Sequence, residues 1–125
     1  MRKILSGRPL RTATIVAALV ALAACKAMTH AWPTVPMTPE QETMVIEAVK
    51  YELKDPDSAQ FRNLFSVEAM SGEQAICGEY NARNSFGGYV GFKKFAARIR
   101  GGKVDLLFGP ADLLHHSCGP KIYAL

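Results

Sequence analysis

Residues 12–24, TATIVAALVALAA, carry no charge and are almost wholly apolar, and the eleven residues before them hold Arg2, Lys3, Arg8 and Arg11 but no acid. A basic start, a short apolar core and small residues at its end make an export signal, which is removed from the mature chain. A membrane-spanning helix needs about 20 apolar residues. This run has 13, so a spanning anchor is the weaker reading. What can fold is therefore confined to residues 25–125, which is one domain at most.

The signal ends in Leu22-Ala23-Ala24-Cys25. With Leu three before Cys and two small residues between, this resembles the lipobox of bacterial lipoproteins. The resemblance implies cleavage before Cys25, two acyl chains on its sulfur and, in many bacteria, a third on the new amino group. Two or more chains anchor a protein stably where one does so only marginally. The alternative is an ordinary export signal followed by a chance cysteine. Lys26 follows, where an Asp would favour retention in the inner membrane under the enteric sorting rule. The expected location is thus the periplasmic side of the envelope, lipid-anchored, with the outer membrane favoured over the inner.

Removing residues 1–24 changes the charge. It takes away four of the 15 basic residues and none of the 11 acids, so the mature chain carries eleven of each. The basic character belongs to the signal. A nucleic-acid partner calls for a basic face, and none is expected. Lys93, Lys94, Arg98, Arg100 and Lys103 cluster, but on both faces of a strand-like run, where a solvated surface is the simpler reading.

With Cys25 assigned to lipid, Cys77 and Cys118 remain. An even pair in an oxidising compartment is a disulfide candidate; two free thiols or a metal site are the alternatives. Closing a loop of this length contributes on the order of 4 kcal/mol on the chain-entropy estimate. That is large for a domain with a small core.

The mature chain divides readily. Residues 26–38, KAMTHAWPTVPMT, have two prolines and no apolar period and read as a tether. Thirteen residues reach about 40 Å at about 3.3 Å each. Trp32, the only tryptophan, could meet the membrane interface or dock on the domain. The domain proper is expected at 39–125. Thr38 suits an N-cap, Pro39 the first helical position, and Gln41 completes a Thr-x-x-Gln capping box. Val45, Ile46, Val49 and Leu53 recur at helical spacing, predicting a helix over 39–54 that Pro56 ends. Strand-like runs follow at 63–70, 75–82, 89–99 and 104–108, with a two-glycine hairpin turn at Gly101-Gly102. Residues 111–118 read as a short terminal helix. The expected fold is α+β: the N-terminal helix packed on a four-stranded antiparallel meander, then a C-terminal helix pinned by Cys118.

Two segments, LKDPDSAQFRN at 53–63 and CGEYNARNSFGGYVGFKKF at 77–95, resemble a family of small uncharacterised proteins of proteobacteria and their phages. The shared positions are Lys54 to Arg62 and Cys77 to Phe92. Many members also end near a cysteine, as Cys118 does here. The resemblance supports one domain and its disulfide, and brings no activity with it.

Candidate chemistry is sparse. The glycines of NSFGGYVG lead into an aromatic run, with no Walker pattern and no Gly-x-Gly-x-x-Gly, so a turn needing positive φ is favoured over a phosphate cradle. Asn81, Arg83, Asn84, Phe86 and Tyr89 form a candidate recognition surface, since aromatics and Arg anchor interfaces. His115-His116 with Cys118 matches a metal cluster by residue type only: adjacent helical histidines point about 100° apart, and structural zinc wants four ligands. A solvated pair at a helix C-terminus is the simpler reading. Ser117 beside His116 in sequence does not by itself make a nucleophile and base, and Asp55 and Asp57 read as capping. No cofactor is expected.

The expected function is a lipid-anchored envelope protein that binds or supports, through the sheet face and the 81–92 loop, with an envelope protein or cell-wall component as partner. The alternative is a small periplasmic hydrolase or inhibitor-type protein with a site near that loop and His115/His116.

Overall fold

The computed structural model describes residues 32–69 and 71–125; Cys25 and the export signal lie outside them. Helix α1 spans Pro39–Tyr51, and a 3-10 turn follows at Pro56–Ser58. Strands β1 (Gln60–Glu68), β2 (Gln74–Asn81), β3 (Lys93–Arg100) and β4 (Lys103–Phe108) come next. Helix α2 (Ala111–Cys118) and a 3-10 turn at Pro120–Ala124 close the chain. The sheet is an antiparallel meander in the order β1-β2-β3-β4. The fold is α+β, as the hydrophobic patterning predicts.

Helix α1 starts on the expected capping box: Thr38 Oγ1 accepts from Gln41 N at 3.2 Å, and Gln41 Oε1 accepts from Thr38 N at 2.9 Å. It ends at Tyr51 rather than at 54, because the chain must tighten before the Asp55-Pro56 step. Val45 and Val49 bury against Ile76, Phe95 and Ala97, with Phe61, Tyr80, Leu106 and Phe108 around them. Phe61 and Tyr80 meet the Phe95 ring edge-on, at 6.3 and 6.2 Å, a preferred aromatic geometry.

Strand periodicity sends the alternate residues to the opposite face. There Phe65, Val67, Ala75, Cys77 and Ala96 pack against Leu114, Cys118 and Ile122. The small Ala75 and Ala96 leave room for α2 to lie close. Cys77 and Cys118 form a disulfide, Cα to Cα 6.0 Å, that ties the middle of β2 to the last residue of α2. The sheet is thus covered on both faces, α1 on one and α2 with its 3-10 extension on the other. The sheet face expected to bind a partner is not free.

Two strand starts differ from the sequence reading by three or more residues. β1 begins at Gln60, and one extra residue bulges between Arg62 and Phe65. Asn63 takes the left-handed conformation there (φ 54°), which Asn tolerates better than most residues. Leu64 then lies over Gly78, where a Cβ would sit 2.6 Å from its Cδ2 and 3.3 Å from the Arg62 carbonyl. β3 begins at Lys93 rather than 89, because residues 83–89 close on themselves and Gly91 (φ 97°) turns the chain before the ladder resumes.

The segment expected as a free tether is in part structure. Thr34 pairs with Val67, Val35 N donates to Ser66 O at 3.0 Å, and Glu68 N donates to Pro33 O at 3.1 Å. The Trp32 indole packs against Gly119 and the α2-side core. Residues 32–35 therefore pack on the expected 39–125 unit. A large ring gains more from burial than from water, and its backbone neighbours cap part of the exposed edge of β1.

Candidate functional site

The 81–92 loop is built by its own side chains and by the turn before β1. Asn84 Oδ1 accepts from Phe86 N at 2.9 Å and from Gly88 N at 3.1 Å. Its backbone closes the same turn: Gly87 N donates to Asn84 O at 3.0 Å and Asn84 N donates to Gly88 O at 2.9 Å. Gly87 supplies the positive φ of 80° this needs. Arg83 and Tyr89 pair across the neck.

Ser58 then fastens the loop to the body. Arg83 N donates to Ser58 Oγ at 2.8 Å, Ser58 Oγ donates to Asp55 O at 2.8 Å, and Tyr89 Oη donates to Ser58 O at 3.0 Å. At the loop's far end, the Arg62 guanidinium lies 3.8 Å over the Phe92 ring, a cation–π geometry. Arg62 also grips Glu79 through two bonds, 2.7 and 3.3 Å, and Asn63 Nδ2 donates to Glu79 at 2.9 Å. Glu79 is 4% exposed. The Arg62 guanidinium, with Asn63 and Lys94 adding to it, holds its carboxyl below the usual carboxylate range although burial opposes this.

The two sequence segments, 54–62 and 77–92, therefore form one spatial unit, joined by Ser58, Arg62 and Glu79. Ser58 and Arg62 lie in the first shared segment and Glu79 in the second, but none of the three was expected to join them. Glu79 had a signal, since an acid inside the apolar run AICGEY calls for a buried partner. Ser58 had none beyond its turn composition.

The five candidate surface residues separate into different roles. Asn84 makes the turn, Tyr89 and Arg83 hold it, and Asn81 is buried with its Oδ1 unpaired among the described residues. Phe86 stands furthest clear, 97% exposed against 45% for Tyr89, and Val90 in the same loop is 59% exposed. Single exposed apolar residues are common; one held at the tip of a hydrogen-bonded turn is pre-organised, so ordering it on contact costs little.

Two cavities flank the loop. One of about 200 Å³ is lined by Leu53, Lys54, Asn81, Arg83 and Val90 among others. The other, of about 580 Å³, lies between Tyr80, Phe92, Lys94, Phe108 and Pro110. Neither is lined by a histidine, a cysteine or a serine. The histidines are elsewhere: the His115 ring packs 5.4 Å from Tyr123, and the two histidine rings are 6.1 Å apart. Ser117 Oγ accepts from Arg98 Nη2 at 3.0 Å. Neither His115 nor His116 lines the two cavities beside the loop. Among the described residues no three His, Cys, Asp or Glu side chains are placed to hold a metal. In the basic cluster, Glu73 engages both Arg100 (2.8 Å) and Arg98 (3.6 Å).

A scan against protein-family models found no match, and searches of the curated proteins and of the solved structures found none either.

Proposed function

We propose that this chain is a lipid-anchored protein of the bacterial cell envelope that works as a binding module, with Phe86 as the anchor that enters a protein or cell-wall partner. Cys25 carries the acyl chains, and the tether expected at 26–38 has six residues, 26–31, ahead of the part packed on the domain. At about 3.3 Å per residue those six reach roughly 20 Å. The lipobox resemblance and a disulfide, which persists in oxidising compartments, support the envelope location. The outer membrane is favoured because Lys26 stands where a retention signal would be.

The observation that carries the binding role is Phe86, 97% exposed on a turn locked by Asn84. Its test compares crosslinked envelopes from cells carrying the wild-type chain, Phe86→Ser and Tyr51→Ser. Tyr51 is 88% exposed on α1 and controls for loss of any surface aromatic. Phe86→Ser should remove a crosslinked species that Tyr51→Ser keeps, with the thermal midpoint unchanged. Identical crosslinking in all three proteins would end the proposal. Tyr89 is a poorer probe, because losing its hydroxyl bond to Ser58 O loosens the loop itself.

A further inference from the structure

The basic residues of β3 do not all meet acids. Arg98 and Arg100 share Glu73. Lys93 and Lys94 have no carboxylate within ion-pair distance among the described residues, and neither do Lys54 and Arg83. Residues 1–31 contain no acid, so they supply no partner either. Lys94 is opposite Glu79 in the β2–β3 register, but Arg62 and Asn63 already hold that carboxylate. These four unpaired cations line the two cavities at the base of the loop, which share Tyr80 and Lys93 as walls. The smaller has Lys54, Arg83 and Lys93 against one acid, Glu52. The larger has Lys93 and Lys94 and no acid at all.

The rest of the larger cavity's wall is apolar and held in place. The Tyr80 ring meets Phe95 and Phe108 edge-on, at 6.2 and 5.3 Å. The Phe92 ring lies under the Arg62 guanidinium at 3.8 Å. Pro110, whose ring fixes its backbone, closes the side towards α2. At about 580 Å³ the space is of the size that holds small molecules, and an apolar wall with a few charged groups is the usual make-up of such sites.

We propose that this larger cavity binds a small phosphate ester with a flat apolar body, Lys93 and Lys94 supplying the counter-charge and the rings of Tyr80, Phe92 and Phe108 the surface for the body. The charge count selects the phosphate. A phosphate monoester carries about −1.5 to −2 near pH 7, which two lysines balance, whereas a single carboxylate would leave one of them unmatched. Lysine acts on phosphate as a point charge and needs no fixed fork geometry. Lys54 and Arg83 in the adjoining cavity deepen the same positive field, screened by salt over about 8 Å. The rings select the body, because offset or edge-on aromatic contacts favour a flat apolar group over a hydrated one. The proposal rests neither on Phe86 nor on the anchor.

The test uses the full chain in nonionic detergent, phenyl phosphate as the probe and amide chemical shifts as the readout. Shifts at Lys93, Lys94, Gly109 and Ala111 should saturate with a Kd of about 1–5 mM, while those of the Gly101-Gly102 turn stay in place. Inorganic phosphate lacks the ring and benzoate lacks the second charge, so each should bind about fivefold more weakly. Lys93→Gln should weaken phenyl phosphate about fivefold. Lys103→Gln removes an equally unpaired cation outside both cavities and should leave the affinity unchanged, and both variants should keep the wild-type spectrum elsewhere. Phosphatidylglycerol added to the micelles should not shift these amides. The proposal is overturned by the absence of a saturable shift, by benzoate or inorganic phosphate binding as tightly as phenyl phosphate, or by equal losses in the two lysine variants. A phosphatidylglycerol shift as large as that with phenyl phosphate also overturns it, because the site would then read a lipid headgroup and not a ring-bearing ester.

Discussion

A methyl group at position 119 would fall 2.8 Å from the Trp32 ring, at a backbone conformation (φ 64°, ψ −169°) open essentially to glycine alone. Gly119→Ala should therefore cost about 2 kcal/mol or more. Because Trp32 is the only tryptophan, its emission reports this contact alone. The variant should show a lower thermal midpoint and a red-shifted spectrum in the native state. Glu79 is the other residue on which much depends. Its folded pKa lies below the ordinary 4.5 because Arg62 and Asn63 bond to the carboxylate. That contribution is complete above the unfolded pKa and is lost as pH falls through the folded one. Stability against denaturant should thus fall steadily below about pH 4.5, and Glu79→Gln should flatten this acid limb. At neutral pH the same substitution should cost about 1–3 kcal/mol, towards the lower end because Arg62 is half exposed.

At the scale of elements, α2 is the piece that most needs outside help. It has eight residues and no side-chain N-cap, too short to hold as a helix by itself. Leu114, Cys118 and Ile122 bury against the sheet, and the disulfide fixes the helix end to β2. Replacing Cys77 and Cys118 by Ala should cost about 4 kcal/mol, less any structure kept by the unfolded chain. In a domain of this size that lowers the melting temperature by roughly 15 °C or more, and amides of α2 should lose exchange protection before those of β2 and β3. If α2 kept full protection in the double variant, packing alone would suffice to hold it. Helix α1 differs, because its capping box and its Val45-Val49 stripe are written locally.

Taken whole, the molecule is a sheet between two helical layers, with the chain entering beside the β1–β2 turn and the Phe86 loop at the opposite end of β1. Thr34 lies against Val67, while Ser58, just before Gln60, holds Tyr89. The eight steps from Gln60 to Glu68 span about 26 Å. The proposed anchor at Cys25 is a separate premise. The intact mass of protein extracted from host membranes without reductant tests that premise. It should begin at Cys25, carry acyl chains, and be two hydrogens light for the Cys77–Cys118 bond. Cys25→Ser should leave the membrane fraction. An unacylated mass would remove the anchor and leave the fold untouched.

Local rules determined the parts of this protein that involve neighbours in sequence. Thr38 with Gln41 sets the start of α1, Gly101-Gly102 sets the last hairpin, and alternating apolar runs set the meander, each over a few residues where propensity and hydrogen bonding act directly. Cysteine parity reached further, because setting Cys25 aside as the expected lipid site leaves only one pair, and Cys77 and Cys118 are bonded. Tertiary structure decided the rest. Trp32 finds Gly119, Ser58 reaches Tyr89 across 31 positions, and the two helices close both sheet faces and leave β4 open. Those outcomes depend on which surfaces meet once the layers stack, and packing, unlike a cap or a turn, has no spacing that can be read along a chain.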